Sequence, residues 1–350
     1  MRRMLAVALA AMVLAIGPSA AAQAIGDDLA TFLDASGAEQ VGDSYRVGDL
    51  SLAPRAPGGV FAGLTLTGAL DEQGGAVAAA TLAIATGYGA GIEQPLARFL
   101  RERAPDLAGQ GPVFIAVEAY RLELDVASSD LAEVRLSLEL PRTPAAAFGA
   151  PVATLGSDDA PVTIRVFSDF QCPFCQRFAT EVMPGLEQGP LAEGRARFAF
   201  HHFPLTSIHA NAAPAAEAAE CVALRFGQTA FWEYHDLLFG RLDAWQGLGD
   251  PYPYFVRLAT DAPGLVEQVA DELAVGTADA GDEASERLAA CLDDGSSRDA
   301  VRAATERARS LGLNGTPSVF VGGYRLEEFG QPQAYARLLR LAIAQDGAAP

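Results

Sequence analysis

The chain has 350 residues, of which 50% are hydrophobic and 20% are charged. This is the composition of a folded globular protein, and the length allows two domains that each bury a core. With 44 acidic and 25 basic residues, the formal net charge is −19, which argues against nucleic acid or an anionic lipid surface as a partner.

The N-terminus has the pattern of a signal peptide. Arg2 and Arg3 precede an uncharged apolar run over residues 4–16, and small residues lead to Ala24. We expect residues 1–24 to be removed by cleavage near Ala24, giving an exported protein, periplasmic or extracellular. The alternative is an uncleaved membrane anchor, but the run is shorter than the ~20 residues that span a bilayer.

A stretch rich in Pro, Ala and Gly divides the rest of the chain. It covers residues 141–161 and predicts a linker at 146–160 between domains at 25–145 and 161–345. An irregular first edge of the second domain would have the same composition.

The first domain is predicted to be α+β. In chain order the patterns predict a helix at 27–35, extended segments at 60–66 and 76–85, a helix at 92–103, and long strands at 113–126 and 131–140. The region has no histidine or cysteine. Gly87-x-Gly89-x-Gly91 is followed by Ile92, where a dinucleotide-binding fingerprint requires glycine, so we interpret it as a loop. No function is predicted for this domain.

The second domain begins with an apolar strand and a cysteine pair. The strand is predicted at 162–168, followed by Cys172-Pro173-Phe174-Cys175, a helix to about 186 and a strand at 196–203. Helices fill about 211–311, after which strands at 318–321 and 324–326 form a hairpin across Gly322-Gly323. A last helix is predicted at about 333–344.

The Cys-x-x-Cys spacing suits redox chemistry. At the start of a helix we expect the sulfur of Cys172 to be exposed and to lie at the positive end of the helix dipole, which stabilises the attacking thiolate. Cys175 lies one turn later, where it can close the disulfide ring. Pro173 fits the first helical turn, since the amide hydrogen that it lacks has no partner there.

Two other interpretations of this pair are a half zinc site and an inert structural disulfide. Zinc needs four ligands, and the remaining cysteines, Cys221 and Cys291, stand alone far along the chain. His201 and His202 are candidate ligands, but they fall within a strand pattern. No metal site is therefore predicted.

Five motifs in order resemble the DsbA-like thioredoxin-fold proteins. They are the segments Ser168-Asp-Phe-Gln-Cys-Pro-Phe-Cys175, His202-Phe-Pro-Leu205, Ala219-Glu-Cys221, Phe231-Trp-Glu-Tyr-His-Asp-Leu-Leu-Phe239 and Asn314-Gly-Thr-Pro-Ser-Val-Phe-Val321. The resemblance covers about 160–345. It implies a thioredoxin fold with a helical insertion at about 211–311, between the second and third strands.

The resemblance also implies residue roles. It makes Pro317 a cis-proline facing the cysteines, with the backbone of Thr316 docking an extended peptide. Pro173 and Phe174 would tune the redox potential of the pair. Val166 departs from the family, which often has a buried acid six residues before the first cysteine; Asp169 or water would then move the proton of Cys175.

The resemblance includes relatives with a second disulfide in the helical insertion, and we expect Cys221 and Cys291 to form a structural one. Two alternatives for these cysteines are a pair of buried free thiols and a second redox pair. Among the histidines, His235 is interpreted as packing, whereas His209 and His202 are candidates to tune the cysteine pair.

The resulting hypothesis is an exported protein thiol–disulfide oxidoreductase with Cys172 as nucleophile and Cys175 as resolving thiol. It needs no bound cofactor, acts on exported client proteins with cysteines, and is reoxidised by a membrane redox partner. Two alternatives are a disulfide isomerase or reductase with an N-terminal dimerisation domain, and a chaperone-like client-binding protein.

Overall fold

The computed structural model describes residues 25–347. The expected signal peptide lies outside the described residues. The chain forms two compact units, one comprising residues up to Arg142 together with those from Ala336 onward, and the other comprising Thr143–Tyr335.

The first unit contains a seven-stranded antiparallel sheet in the order β1-β2-β3-β4-β7-β6-β5. Its strands are β1 (Glu39–Val41), β2 (Ser44–Val47), β3 (Leu50–Arg55), β4 (Gly63–Gly68), β5 (Val113–Val117), β6 (Tyr120–Val126) and β7 (Val134–Glu139). Its helices include α1 (Leu29–Ser36), α2 (Glu72–Thr86) and α3 (Ala90–Glu102). In β7, Val134, Leu136 and Leu138 are buried and alternate with more exposed polar residues, as the sequence predicts.

Two predictions for this unit are wrong. Residues 76–85, expected to be extended, lie within α2, because a run of alanines favours a helix once Asp71 caps its start by accepting the Gly74 amide. The single strand expected at 113–126 is a hairpin of β5 and β6, which turns at Glu118 with φ 52°. Gly87 and Gly89 of the glycine motif lie in the loop between α2 and α3, as interpreted, whereas Gly91 lies in the first turn of α3.

The second unit contains a five-stranded sheet in the order β12-β11-β9-β10-β8. Its strands are β8 (Ala153–Leu155), β9 (Val162–Ser168), β10 (Ala196–His202), β11 (Ser318–Val321) and β12 (Tyr324–Leu326). β9 and β10 are parallel, and the other neighbours are antiparallel. Gly322 and Gly323 both have positive φ in the β11–β12 turn, a conformation that glycine adopts without strain.

Helices connect β9 to β10 and β10 to β11. The α-helical segments of the second unit are α4 (Ala145–Phe148), α5 (Pro173–Arg177), α6 (Met183–Leu186), α7 (Ala212–Gly240), α8 (Leu242–Trp245), α9 (Tyr252–Leu258), α10 (Pro263–Leu273), α11 (Thr277–Asp294) and α12 (Ser296–Ser310). π-helical turns continue the helix after α5 and after α6. A βαβ unit, a helical insertion and a β-hairpin in this order form the thioredoxin fold that the resemblance implies, so the expected fold class is confirmed.

The domain boundaries differ from those expected. The expected linker at 146–160 contains β8, which pairs with β10, and Phe148, which is 1% exposed in a core cluster with Phe167 and Phe320. Hydrophobic burial and strand pairing therefore make this segment part of the second unit. The final helix is α13 (Pro332–Gly347). It begins in the second unit, and its residues from Ala336 onward belong to the first unit.

α13 forms two ion pairs with other residues of the first unit. Its Arg340 lies 3.0 Å from the carboxylate of Asp27. Its Asp346 accepts two hydrogen bonds from Arg142, at 2.6 and 2.7 Å.

Within residues 25–347, no helix is long and apolar enough to cross a membrane.

Candidate redox site

The two cysteines lie where β9 gives way to a helix. β9 ends at Ser168, and Cys172 caps α5, with Pro173 in the first turn. The Cys172 amide donates to the Asp169 carbonyl at 3.1 Å, and the Gln176 amide donates to the Cys172 carbonyl at 3.0 Å. The turn and the helix together fix the backbone on both sides of Cys172.

Most of the polar groups around Cys172 favour its thiolate, although the residue is 4% exposed and the expectation of an exposed sulfur is wrong. The exception is the Thr316 carbonyl, which accepts a hydrogen bond from the protonated thiol at 3.4 Å. The side-chain hydrogen bond with Cys175 lowers the pKa of Cys172 to about 6, helped by the Thr316 side chain and by the amides of Cys175 and Phe174 and opposed by burial. A large fraction of Cys172 is therefore thiolate at neutral pH.

Cys175 is in the opposite situation. Burial raises the pKa of the Cys175 thiol well above its usual value, and the neighbouring Cys172 sulfur raises it further. The Ser168 hydroxyl and the Asp169 amide lower this pKa, and the amide lies 3.5 Å from the sulfur. The two free thiols of this site thus differ strongly in acidity.

Pro317 and Thr316 lie directly before β11. The Thr316–Pro317 peptide bond is cis. β11 pairs with β9 antiparallel, with Ser318 opposite Phe167, so the chain enters the sheet beside the end of β9. This pairing brings the Thr316 carbonyl to the Cys172 sulfur, although 144 residues separate the two.

Phe174 is 57% exposed, a large value for an aromatic side chain. Pro173 and Phe174 stand between the two cysteines, and the Phe174 amide is one of the groups that lower the pKa of Cys172. The expected tuning residues thus adjoin the reactive sulfur.

A polar network surrounds the turn before Cys172. Gln171 receives the Asn211 amide at 2.7 Å and donates to the Gln246 carbonyl at 3.0 Å. The buried Asn211 side chain donates to the carbonyls of Trp245, Gln246 and Leu248 at 2.9–3.2 Å. Gln171 and Asn211 thereby connect the turn to two segments of the helical insertion. Sequence reasoning missed both residues, since no local pattern indicates partners this distant.

Cys221 and Cys291 are joined by a disulfide between α7 and α11. Both residues are 0% exposed. The structure therefore separates the four cysteines into one bonded pair and one free pair.

The four histidines have different surroundings. Burial lowers the pKa of His201 to about 3, so this residue is neutral. His202 pairs in register with Ser168 across the β9–β10 ladder, and its Nε2 lies 3.3 Å from Glu220 without hydrogen-bond geometry. His235 packs among aromatic rings, and His209 lies 2.8 Å from Asp169.

The residues that the structure describes contain no group of three or more His, Cys, Asp or Glu side chains that could hold a metal ion. The end of β9 and the start of β11 bring together Cys172, Cys175, Thr316 and Pro317, with Pro173 and Phe174 beside them.

The second unit is similar in sequence to known proteins. The sequence model of the family described as Thioredoxin matches residues 150–341. A Na(+)/H(+) antiporter NhaA 3 from Salinispora tropica is 32% identical over 170 residues, which are 49% of this chain and 21% of the antiporter. Disulfide bond formation protein D from Bacillus subtilis is 32% identical over 91 residues, 26% of this chain and 39% of that protein. The chain thus spans well under half the length of these relatives.

Among solved structures, BdbD from Bacillus subtilis in its oxidised form aligns with a TM-score of 0.45 and 20% identity. The alignment covers 57% of this chain and 97% of BdbD.

Proposed function

The chain belongs to the thioredoxin family, among its DsbA-like members, and on that premise we propose that it is a protein thiol–disulfide oxidoreductase of exported proteins. Cys172 and Cys175 form the redox pair, Thr316 and Pro317 dock the client, and Cys221–Cys291 is structural. The observation that carries this proposal is the pair of free cysteines at the start of α5, with the Thr316 carbonyl 3.4 Å from the Cys172 sulfur and the Asp169 amide 3.5 Å from the Cys175 sulfur. In these surroundings the pKa of Cys172 falls to about 6 while that of Cys175 rises.

The proposed direction is oxidation of the client. A client thiolate attacks the Sγ of Cys172 in the oxidised pair, the Cys172–Cys175 bond breaks, and its electron pair leaves on Cys175. A second client thiolate then attacks the client sulfur of the mixed disulfide, and Cys172 leaves as a thiolate. The client loses two electrons and gains a disulfide, and the enzyme holds two thiols.

The surroundings of Cys172 favour this direction. Stabilising the thiolate of Cys172 stabilises the reduced protein, which makes a redox pair more oxidising. The Thr316 carbonyl beside the sulfur offers an acceptor to the backbone N–H of an extended client segment. A membrane redox partner would reoxidise the pair, and an exported location would keep Cys221–Cys291 oxidised.

The test is oxidation of a synthetic peptide with two thiols by the purified chain, with glutathione disulfide as terminal oxidant. We expect the protein to speed formation of the peptide disulfide, Cys172→Ser to abolish this effect, and Cys175→Ser to accumulate a mixed disulfide with the peptide. Unchanged turnover in Cys172→Ser would refute the proposal.

A further inference from the structure

The carboxylate of Asp169 is fully buried, and the proposed electron-transfer steps do not use it. Its side chain is 0% exposed. Oδ1 accepts the Gln171 amide at 2.7 Å, and Oδ2 accepts the Leu205 amide at 2.8 Å and lies 2.8 Å from Nδ1 of His209. A buried carboxylate needs such partners, because an unpaired one is very costly to remove from water.

His209 completes the set of partners. Its side chain is 17% exposed, so the imidazole ring joins the buried carboxylate to the surface. The interaction brings together the turn before Cys172 and the loop after β10, which are 40 residues apart in sequence. The carboxylate is thus held from both segments.

The backbone of Asp169 contacts both cysteines. Its N–H points to the Cys175 sulfur at 3.5 Å and lowers the pKa of that thiol, although burial has the larger, opposite effect. Its carbonyl accepts the Cys172 amide at 3.1 Å. The side chain, by accepting the amide two residues later, fixes the turn that sets both contacts.

The N–H of Asp169 matters most when Cys175 is the leaving group. As the Cys172–Cys175 bond breaks, negative charge develops on a sulfur that is 1% exposed and that water reaches poorly. A hydrogen-bond donor already aimed at this sulfur stabilises the developing charge without rearrangement. If the Asp169 N–H moves away from the Cys175 sulfur, the developing negative charge stays buried without a hydrogen-bond donor.

We propose that Asp169 and His209 form a positioning pair: His209 holds the buried carboxylate, and the carboxylate holds the Asp169 N–H against the Cys175 sulfur. This inference rests on the proposed function, since it concerns the departure of Cys175 during client oxidation. Neither residue touches the client or exchanges electrons; both act through the backbone of the turn.

The test uses His209→Ala, which removes the partner, and His209→Gln, which keeps an N–H donor. The matched control is Asp236→Asn, because Asp236 forms the same 2.8 Å contact with His235 but its side chain is 76% exposed. Oxidised full-length protein is mixed with reduced glutathione, and acid-quenched samples are analysed by mass for cleavage of the Cys172–Cys175 disulfide. The redox equilibrium with glutathione is measured on the same proteins.

We expect the disulfide of His209→Ala to be cleaved roughly tenfold more slowly. Its redox equilibrium with glutathione should change much less, because the raised pKa of Cys175 keeps this sulfur protonated in the reduced protein. His209→Gln should recover part of the rate, and Asp236→Asn should match the wild type. If His209→Ala does not fold, the His209→Gln variant alone tests the inference. We expect its disulfide to be cleaved about threefold more slowly, because the glutamine amide replaces only part of the hydrogen bond to the Asp169 carboxylate.

A His209 variant that is cleaved at the wild-type rate would overturn the inference, even if it unfolds at a lower temperature. A wild-type protein that exchanges with no thiol would instead overturn the proposed function, so the two failures are distinguishable.

Discussion

The second unit contains two cysteine pairs that are equally buried but differ in state. Cys221 and Cys291 are 0% exposed and bonded, whereas Cys172 and Cys175 are 4% and 1% exposed and free. Burial therefore does not distinguish the proposed redox pair from the proposed structural one. The difference lies in the spacing along the chain and in the hydrogen-bonding groups around each sulfur.

Spacing sets how much each bond stabilises the fold. The Cys221–Cys291 bond closes a loop of 70 residues. Loop entropy makes such a bond worth ~4 kcal/mol, and closing the short Cys-x-x-Cys ring gives less than half of that. The short ring can therefore open and close without unfolding the protein, and its chemistry depends on the Thr316 carbonyl and the amides of the turn.

The largest expected effect comes from the reactive sulfur. Cys172→Ser should reduce oxidation of a dithiol peptide to the uncatalysed rate, because a serine hydroxyl can form no disulfide with Cys175 or with a client. Turnover is followed by mass as the peptide loses two hydrogens. The Cys221→Ala/Cys291→Ala double variant is the matched control and should keep its turnover. If that variant loses as much turnover as Cys172→Ser, the two pairs do not have the different roles proposed here.

The second prediction concerns the stability that the Cys221–Cys291 disulfide gives to the fold. The Cys221→Ala/Cys291→Ala variant should lose ~4 kcal/mol of unfolding free energy, through the entropy that the unfolded chain regains. Denaturant unfolding of the oxidised wild type and the variant measures the change. The reduction potential of Cys172–Cys175 should stay the same, and a shift in this potential without loss of stability would contradict a structural role.

The third prediction concerns the pH dependence of the reduced protein. The folded pKa of Cys172, about 6, lies below that of an unfolded thiol, about 8.5. The unfolded chain therefore binds more protons between these values, so stability should rise with pH across this window and the gain should vanish as pH falls through 6. Above pH 9 the raised pKa of Cys175 acts in the opposite direction.

This dependence is measured by denaturant unfolding of the reduced protein from pH 5 to pH 9. Cys172→Ser is the control and should lack the rise. A reduced wild type whose stability does not change between pH 6 and pH 8 would show that its Cys172 thiolate is not stabilised by the fold.

The smallest expected effect is at Phe174. Phe174→His should make the pair roughly tenfold more oxidising, or about 30 mV, because an imidazole can offer the Cys172 thiolate a charge and a hydrogen bond that a phenyl ring lacks. Equilibration with glutathione measures the shift. Phe174→Tyr keeps the ring and serves as the control; an unchanged or more reducing histidine variant would show that residue 174 does not tune the pair.

Much of the second unit could be predicted from sequence, because its strands are short apolar runs that end at distinct signals. The predicted strand at 162–168 matches β9, and the hairpin across Gly322-Gly323 matches β11 and β12. The sequence predicts a linker where the edge strand β8 lies, since three residues are too few to show the alternation of a strand.

The surroundings of the sulfurs could be predicted only in part. The cysteine spacing and the proline before β11 are local signals. Two of the three partners of the Asp169 carboxylate are not, because Leu205 and His209 lie 36 and 40 residues away and only the folded loop after β10 brings them to it. The opposite pKa shifts of Cys172 and Cys175 depend on burial and on such distant donors.

The activation of Cys172 is tested most directly by a pH series of alkylation of the reduced native protein by iodoacetamide, with the labelled cysteine identified by peptide mapping. We expect label on Cys172 alone, with a rate that rises with pH around a midpoint of about 6. Label mainly on Cys175, or a midpoint near the ~8.5 of an unperturbed thiol, would contradict the claim that the fold activates the first sulfur and shields the second.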